Sequence, residues 1–552
     1  MTKAIEAALS RLRAGDPVSR SGIAGSGLGA ELTAAGVGFA AVGGPLEERW
    51  HRALAELEQC VRPLAGGAPV LNEGGVYAGA WLESTGTINA EVLARFAPGI
   101  ARETHLRFAE HQRGDGMIPY KLTDDGPGFS QIQIVTPLAR TVWRHHELTG
   151  GDEPFLETMY RAMARYDDWL ARFRDTRRTG AVEAFCAFDT GHDLSPRFWF
   201  APDRAFRGDA RRCDPDSPIL PYAAPDLTAN VACQRAYLAR IAEALGEDGE
   251  PWRRKARASV AALYAQCFDP DDGTFYDRDR SGRHVRIQSD VLLRVLACEI
   301  GDEEFFTRAL GAYLMNTRKF LSHHGFTSLA LDDPRFDADA SRNSWGGPVN
   351  LLSLLRAPDA FEHHGHVAEL AVAAAPPLAA LAAADRFPQC LDPWSGEAGF
   401  TSVYSPSILW FLDTVERSFG ILPRPGGEVW FTGLPPTRLD HGAAAAATAY
   451  ARRVGGAEYE LAADDERAEV HRDGAPRWAF PRGWRIETDA AGEVRAVVGM
   501  SPAVVTGELE TCRADAGSAR LALSLAANER IELDAEGRIT GRTAVSFVPP
   551  AF

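Results

Sequence analysis

The sequence predicts a mainly α-helical protein in which helical hairpins form two concentric rings, with an N-terminal segment before them and a β domain after them. Three observations support this prediction. Amphipathic helical segments repeat from about residue 79 to residue 422. The loops between these segments differ greatly in length. After Pro423 the pattern changes to alternating apolar and polar residues. Such an arrangement would collect the long loops on one face, where a site could form.

Residues 1–75 are predicted to be a mixed α/β segment. A short helix leads into a glycine-rich stretch, and a second helix is expected from about Leu46 to Val61. The run from Gly25 to Leu32 superficially resembles a dinucleotide-binding loop. No strand is predicted before it, and no acidic residue follows about twenty positions on after a second strand. Turns and short β segments are therefore expected here, and no cofactor is predicted.

Residues 76–425 are predicted to be the helical catalytic domain. Its segments carry apolar residues near i, i+3, i+4 and i+7, and several begin with Asp, Ser or Pro and end near Gly. Residues 426–552 are predicted to be a β-sandwich-like domain, because apolar and polar residues alternate around short glycine-containing turns. Such a domain usually packs on the main domain, and a role of its own in function stays open.

Composition and charge exclude several classes of protein. The 59 Lys and Arg residues against 75 Asp and Glu residues give a net charge of -16, which argues against a nucleic-acid partner. The eight cysteines are scattered without a CxxC pair, which argues against a disulfide scaffold and a zinc site. No window has the roughly 18 apolar residues that cross a membrane. No signal-peptide core is evident, so a cytoplasmic protein is expected.

The long loops contain polar and aromatic residues that simple packing would not require. They lie in the following segments: Gly79–Ser84, Gly114–Tyr120, Gln131–Gln133, Asp189–Arg197, Asn343–Asn350 and Gln389–Glu397. Aromatic faces and planar hydrogen-bonding side chains suit a sugar, which has apolar C–H faces and a rim of hydroxyls. Carboxylates in such a pocket can act as acid and base on a glycosidic bond. A small-molecule carbohydrate is therefore the predicted ligand, and the oligomeric state is left open.

These segments resemble the motifs of the inverting glycosidases with an (α/α)6 barrel, a group that includes trehalase, processing α-glucosidase I and mannosylglycerate hydrolase. The family's E-S-G-x-D-x-S-P-R loop is similar to Asp189–Arg197, and its Q-x-D-G-x-I-P segment is similar to Gln112–Pro119. Three further segments resemble D-L-N-A, W-x-G-P and N-P-x-T-G-E, in that order: Asp226–Ala229, Trp345–Pro348 and Asp392–Glu397. The resemblance covers about residues 75 to 425, and it implies an (α/α)6 toroid and glycosidase activity.

The resemblance also implies roles for individual residues. Asp193 would be the general acid that protonates the leaving oxygen, with a pKa raised by desolvation and neighbouring carboxylates. Glu83 falls where the family has an aspartate that holds sugar hydroxyls. Arg197 and Trp345 would bracket the sugar, and Gln131 or Gln133 would bind hydroxyls. The remaining predicted substrate-binding residues are Trp81, Asp189, His192 and Gln389.

The chain departs from the family at the catalytic base. Relatives place a glutamate just before the N-P-x-T-G-E turn, and the matching residue here is Gln389, whose amide cannot take a proton from water. Another carboxylate serves, the chemistry differs, or hydrolysis has been lost. Glu397 and Glu362 are the nearest candidates for the base in sequence. An inverting pair needs carboxylates roughly 6.5–9.5 Å apart.

Two alternatives to a hydrolase stay open. A sugar epimerase or lyase on the same barrel could use His or Tyr as acid and base and would not need a water-activating glutamate. A protein that binds carbohydrate without turnover would explain Gln389 equally well. The histidines at positions 323–324, 363–364, 366 and 192 do not form an i, i+4 pair on one helix face, so no metal site is predicted.

Overall fold

The computed structural model describes residues 2–64, 66–434, 437–438, 442–513 and 517–552. The helices, numbered in chain order, are α1 Lys3–Ala14, α2 Pro17–Arg20, α3 Gly27–Ala35, α4 Leu46–Cys60, α5 Ser84–Ile88, α6 Ala94–Phe96, α7 Pro98–Glu110, α8 Leu138–Leu148, α9 Glu153–Phe173, α10 Pro225–Ala244, α11 Glu250–Cys267, α12 Val291–Leu296, α13 Glu303–Ala309, α14 Leu351–Leu354, α15 Ala357–His363, α16 Val367–Ala383 and α17 Ser405–Phe419. A π-helical turn joins α5 to α6, and another extends α13.

The long helices form where the sequence supplies caps and one apolar face. In α9, the Asp152 side chain accepts a hydrogen bond from the Phe155 backbone N–H, and Pro154 occupies the first turn. The apolar residues of α9 fall on its buried face, which packs against α7, α8 and α10. Pro376 and Pro377 lie inside α16 without ending it. Within the described residues, no helix has both the length and the apolar character needed to span a bilayer.

Short strands pair between the loops of the helical domain. The pairings are Val61–Pro63 with Pro69–Leu71; Ala80–Trp81 with Lys121–Thr123, and the latter with Gly126–Gly128; Glu183–Ala184, Tyr222–Ala223, Asp277–Arg278 and His284–Val285 in one sheet; Phe268–Asp269 with Thr274–Phe275; Leu321–Ser322 with Gly325–Phe326; and Val349–Asn350 with Cys390–Leu391. They fix loops that are far apart in sequence against each other, as the strand at Trp81 does with the strand at Lys121.

The C-terminal part of the chain forms two antiparallel sheets. One has the order Gly38–Val42, Ala447–Val454, Ala457–Ala463, Arg467–Arg472, Ala475–Pro481, Val505–Arg513 and Gly517–Leu525. The other has the order Ile421–Pro423, Val429–Thr432, Trp484–Thr488, Val494–Gly499, Glu529–Leu533 and Ile539–Ala544, and a short pair joins Thr437–Arg438 to Gly442–Ala443. Phe431 of the second sheet packs against Tyr459 and Trp478 of the first, with ring centroids 5.3 and 5.1 Å apart.

The N-terminal segment is joined to the β domain. Strand Gly38–Val42 pairs in antiparallel register with Ala447–Val454, so residues from both ends of the chain share one sheet. The second sheet also begins at Ile421, five residues before the expected boundary at 426. Hydrogen-bonding edges favour pairing wherever a strand is available, and sequence periodicity does not show which strands will meet.

Buried ion pairs hold the helical domain to the β domain. Glu416 of α17 accepts hydrogen bonds from Arg95 of the helical domain at 2.7 Å and from Arg452 and Tyr450 of the β domain at 3.0 and 3.1 Å. The end of the chain returns to the helical domain, where Ala551 pairs with Asn316. The β domain therefore forms a supporting surface for the ends of α6 and α17, while the long loops stay free to build a site.

Candidate active site

Asp193 lies in a loop whose two ends are tied together. The backbone N–H groups of Ala187 and Phe188 donate to the carbonyls of Pro202 and Asp203, at 2.9 and 3.1 Å. The carbonyl of Asp193 itself accepts from the backbone N–H of Trp345 at 3.0 Å. We call residues 186–203 the acid loop. Its closure and this cross-link fix the position of the Asp193 carboxyl.

Asp189 anchors the acid loop from inside the protein. Its two carboxylate oxygens accept hydrogen bonds from the Arg174 guanidinium, at 2.5 and 3.1 Å, and from the backbone N–H groups of Ile132 and Phe185. Arg174 and Asp189 are both fully buried. No oxygen of Asp189 is left over for a sugar. The predicted substrate-binding role of Asp189 is therefore corrected: it holds the loop.

Arg197 and His192 also support the loop and do not face a ligand. The Arg197 guanidinium pairs with both carboxylate oxygens of Asp226 and both of Asp277, at 2.7–3.2 Å. It also donates to Nδ1 of His192, whose Nε2 lies 3.0 Å from Asp290. Burial lowers the pKa of His192 to about 3, so this ring is neutral. Both side chains are buried, Arg197 is fully paired, and the His192 ring lies between Arg197 and Asp290, so their predicted substrate-binding roles are corrected as well.

The carboxyl of Asp193 sits where its proton is hard to remove. Burial raises its pKa to about 8, and the negative charges of Glu83, Asp203 and Glu73 act in the same direction. The Asn343 amide donates a hydrogen bond to Asp193 Oδ2 and opposes this rise. Asp193 is therefore protonated at neutral pH, as a general acid must be.

A chain of hydrogen bonds leads from Asp193 to Gln389. Asn343 donates to Asp193 through Nδ2 and accepts at Oδ1 from Gln389 Nε2, at 2.8 Å. The phenol of Tyr77 donates to Gln389 Oε1 at 2.7 Å. Two hydrogen bonds and one amide group span about 7 Å at most, which limits the separation of Gln389 Nε2 from the Asp193 carboxyl. The orientation of the Gln389 amide follows from these two partners.

Glu83 lies beside the acid loop between two buried arginines. Its Oε1 is 3.3 Å from Arg356 and 3.7 Å from Arg294, and its Oε2 accepts from Gln133 Nε2 at 2.7 Å. Gly191 has a φ of +65°, and a Cβ at that position would clash with the Glu83 carboxylate. Only glycine lets the acid loop approach Glu83 this closely.

Several buried polar atoms near Glu83 have no hydrogen-bond partner among the described residues. These atoms are Gln133 Oε1, Trp345 Nε1, and Nε and Nη1 of Arg356. Gln133 also has a φ of +45°, a conformation that costs energy for a side chain larger than glycine. Buried polar groups without partners are rare, and a ligand is one explanation for them.

The remaining predicted aromatic and amide residues lie around this cluster. Trp345 is buried, with the Arg294 guanidinium 4.7 Å from its ring centroid and the His192 ring 4.8 Å away. Trp81 is partly exposed and contacts Tyr77 edge to face at 5.6 Å. Gln131 is buried and accepts from the Ser130 hydroxyl, so its position on the loop before Gln133 is set locally.

The two candidate bases are not brought to this cluster. Glu362 lies on α15 at the β domain, where Arg417 and Arg424 contact its two carboxylate oxygens. Glu397 is exposed at the tip of a hairpin: Gln389 pairs with Phe400, and Glu397 lies three residues further out, a distance of about 10 Å. Both proposals for the base are therefore corrected.

Sequence reasoning missed several members of the cluster. Arg294 and Arg356 each interrupt an apolar helical run, and a charge in such a run signals a buried partner. Asn343 lies in the predicted loop segment Asn343–Asn350, but the sequence predicted no role for it. Glu73, Tyr77 and Tyr404 gave no signal, because their contacts join positions more than 300 residues apart. Among the described residues, no three His, Cys, Asp or Glu side chains are arranged to hold a metal ion.

Comparison with known families places residues 77–407 in one of them. This stretch matches the model described as the mannosylglycerate hydrolase MGH1-like glycoside hydrolase domain. The chain belongs to this glycoside hydrolase family. It is a glycosidase, and the resemblance to mannosylglycerate hydrolase that the sequence motifs predicted is confirmed. Comparison with curated protein sequences gives no match.

Solved structures share the fold at low sequence identity. The GH63 mannosylglycerate hydrolase from Thermus thermophilus, in complex with Tris, is 18% identical with a TM-score of 0.54, covering 66% of this chain and 99% of that chain. Neutral trehalase Nth1 from Saccharomyces cerevisiae is 13% identical with a TM-score of 0.50, covering 63% and 73%. A structure named sialidase is 12% identical with a TM-score of 0.58, covering 84% and 42%.

Proposed function

We propose that this glycosidase is an anomer-inverting hydrolase of a small glycoside or oligosaccharide, with Asp193 as general acid and its helices arranged as an (α/α)6 toroid. The observation that carries the proposal is the bridge through Asn343. It keeps the Asp193 carboxyl and the Gln389 amide within about 7 Å of each other, a separation compatible with the roughly 6.5–9.5 Å of inverting pairs. On this proposal Gln389 would lie on the side of the sugar from which water attacks.

Asp193 would donate its proton to the leaving oxygen as the glycosidic bond breaks. A pKa of about 8 keeps the proton available at neutral pH. The carboxylate that remains is then stabilised by the Asn343 amide. Proton donation and charge stabilisation therefore come from two side chains already in hydrogen-bonding contact.

The unpartnered buried atoms would bind the sugar hydroxyls. Gln133 Oε1 can accept a hydrogen bond from a hydroxyl, and Trp345 Nε1 and the Arg356 guanidinium can donate to one. Glu83 is held by Arg356 and Gln133, which fix its carboxylate in place as an acceptor. Substrate hydroxyls would supply the partners that these groups lack.

The decisive experiment compares Asp193→Asn with the wild type on two kinds of substrate. A panel of α- and β-glycosides would include trehalose and mannosylglycerate, the compound in the name of the Thermus relative. Matching glycosyl fluorides need no protonation of the leaving group. We expect Asp193→Asn to lose at least a hundredfold in kcat on glycosides and to keep most turnover of the fluoride. NMR should show that the first sugar product has the anomeric configuration opposite to that of the substrate.

Asp203→Asn is the matched control, because Asp203 is an exposed carboxylate at the end of the same loop. It should retain activity within a few-fold. Full activity of Asp193→Asn on glycosides would sink the assignment, and a first product with the substrate's anomeric configuration would rule out inversion.

Gln389 favours one competing function, a sugar-binding protein without turnover, since an amide cannot activate water. That alternative predicts saturable binding of a sugar by calorimetry with no product from any glycoside or fluoride. An epimerase using histidine has less support, because His192 is neutral and its Nδ1 already accepts from Arg197.

A further inference from the structure

With an amide at position 389, the proton released by the attacking water needs another acceptor. A base near the sugar must be ionised yet free of a cation that would hold its charge. The buried carboxylates around Asp193 can be compared on this point. The following have an arginine within 4 Å: Glu83 with Arg356 and Arg294, Asp226 and Asp277 with Arg197, Asp290 with Arg294, and Asp189 with Arg174.

Glu73 differs from all of these. Its carboxylate is buried, and its hydrogen bonds come from two neutral hydroxyls: Ser84 Oγ at 2.6 Å and Tyr404 Oη at 2.9 Å. Within the part of the chain that the structure describes, no Lys or Arg pairs with it. It is close enough to Asp193 for its charge to raise the pKa of that group. Glu73 is therefore a buried carboxylate that has no cationic partner among the described residues and whose charge acts on Asp193.

A backbone turn connects Glu73 to Tyr77, whose phenol donates a hydrogen bond to Gln389. Residues 73–77 form a tight turn in which Gly74 pairs with both Tyr77 and Tyr404. Gly74 has a φ of +84°, and a Cβ there would meet the Val403 carbonyl, so the turn requires glycine. At one end of the turn is Glu73, and at the other is Tyr77, which donates to Gln389. The rings of Tyr77 and Tyr404 lie 5.9 Å apart.

We propose that Glu73 is the catalytic base of this enzyme and takes the water's proton through the hydroxyl of Tyr404, while Gln389 and Tyr77 orient the water. This proposal rests on the proposed function. The water oxygen bonds to the anomeric carbon as the bond to the leaving oxygen breaks. The water's proton passes to the Tyr404 oxygen as the Tyr404 proton moves to Glu73 Oε1, and Asp193 protonates the leaving oxygen. Proton exchange with solvent then restores both carboxyls.

Titration of Glu73 fits this role. Burial raises its pKa to about 7, close to a neutral working pH, where a carboxylate is both available and basic enough to accept a proton. Asp193 titrates higher, at about 8. Two carboxyls whose environments separate their pKa values in this order suit a base and an acid.

The test measures Glu73→Gln on a glycosyl fluoride, which needs a base but no acid. We expect kcat to fall at least a hundredfold on fluoride and glycoside alike, with KM nearly unchanged and the acidic limb of the pH profile lost. Sodium azide should restore turnover and give a glycosyl azide of inverted configuration. Tyr404→Phe should lower kcat without changing KM.

The control is Glu362→Gln, which removes a largely buried carboxylate outside the site. A Glu73→Gln enzyme within threefold of wild-type kcat, or one that keeps the acidic limb, would overturn the role of Glu73. If Glu73→Gln does not fold, Tyr404→Phe and Ser84→Ala take its place. A kcat within threefold of the wild type, or a retained acidic limb, would then overturn the role of Glu73. Loss of fluoride turnover in Asp193→Asn would instead count against the proposed function. No turnover by the wild type would overturn both.

A second observation concerns the outer side of the acid loop. Leu194, Trp199 and Phe200 are large apolar side chains that are 56%, 54% and 87% exposed. Leu194 directly follows Asp193 and has a φ of +58°, which is unusual for a branched side chain. Exposed apolar groups on one short loop mark a contact surface. We call these three side chains the acid-loop surface.

We infer that the acid-loop surface binds the leaving group of the substrate, a second sugar ring. A general acid contacts the leaving oxygen, so the loop that carries it flanks the leaving group. The loop's far end returns to Asp193, because the charge of Asp203 influences the pKa of Asp193. Trp199 and Phe200 offer exposed aromatic faces that can stack on the C–H faces of a pyranose.

Trp199→Ala and Phe200→Ala should each lower kcat/KM on a disaccharide about tenfold and leave the glycosyl fluoride unchanged, because fluoride occupies no leaving-group subsite. Ile539→Ala, an exposed apolar residue of the β domain, is the control. Equal losses on both substrates, no loss on either, or a change of oligomeric state by light scattering without a kinetic effect would each overturn this inference.

Discussion

The raised pKa of Asp193 has a consequence for stability that can be measured without knowing the substrate. In an unfolded chain an aspartate titrates near 3.9, whereas in the fold Asp193 titrates at about 8. The folded state therefore binds this proton more tightly. The stabilisation that this bound proton gives the fold is fully present below about pH 4. It is lost as the pH rises to about 8, since above that pH folding must bury the charged carboxylate.

The size of this effect follows from the difference of about four pKa units. At about 1.4 kcal/mol for each unit, the ionised Asp193 costs about 5.5 kcal/mol above pH 8, and about 1.5 kcal/mol at pH 5. Asp193→Asn removes this dependence. We expect the variant's advantage in free energy of unfolding to grow by about 4 kcal/mol between pH 5 and pH 9. For a chain of 552 residues that unfolds as one unit, this equals about 3 °C in Tm.

Calorimetry of both proteins at pH 5, 7 and 9 measures this difference. Asp203→Asn should change Tm by less than 1 °C at every pH, because Asp203 is exposed. A constant difference between Asp193→Asn and wild type across this range would refute the argument that burial and neighbouring charge raise the pKa of Asp193. A variant less stable than the wild type at pH 9 would refute it as well.

Three further substitutions test the contacts around the site. Arg197→Lys cannot reproduce the paired hydrogen bonds to Asp226 and Asp277 and should cost about 3–5 kcal/mol of stability by denaturant unfolding; an unchanged midpoint would show that the ion pairs are not needed. Asn343→Ala removes the hydrogen bond that lowers the pKa of Asp193, so the alkaline limb of kcat/KM should shift to higher pH by about one unit. A shift to lower pH would contradict this. Glu362→Gln should leave kcat unchanged but lower the free energy of unfolding by about 2 kcal/mol near neutral pH. This loss should disappear in acid, because Arg417 and Arg424 lower the pKa of Glu362 in the fold. A loss of kcat would make Glu362 a candidate base again.

The sequence predicted the helical domain and the β domain well because both depend on local periodicity. It did not predict that Gly38–Val42 joins the C-terminal sheet, since strand pairing over 400 residues leaves no local pattern. The same limit applies to the site. A motif predicts Asp193 as the acid, but the motif also contains Asp189, His192 and Arg197. Sequence order does not distinguish a side chain facing a ligand from one facing the core.

The distinction depends on which partners each side chain has. Asp189 and Arg197 belong to the motif because the acid loop needs buried ion pairs to keep its shape. Residues within a motif can thus be required for geometry alone. Conversely, Glu73 lies before the predicted start of the catalytic domain and belongs to no motif, yet folding brings its charge within reach of Asp193.

Charge balance offers a reason why position 389 carries an amide. A glutamate there would add a negative charge about 7 Å from Asp193, which already has Glu83, Asp203 and Glu73 nearby. With an effective dielectric constant of about 20, that charge would contribute about 2 kcal/mol and raise the pKa of Asp193 by more than one unit. An acid that weak would transfer its proton poorly at neutral pH. On the proposed roles, Gln389 keeps the acid usable and orients water, and the carboxylate of Glu73, held by the Ser84 and Tyr404 hydroxyls, supplies the missing proton acceptor. Changing Gln389 to Glu without removing Glu73 would therefore crowd the site with charge and would not simply restore the family's arrangement.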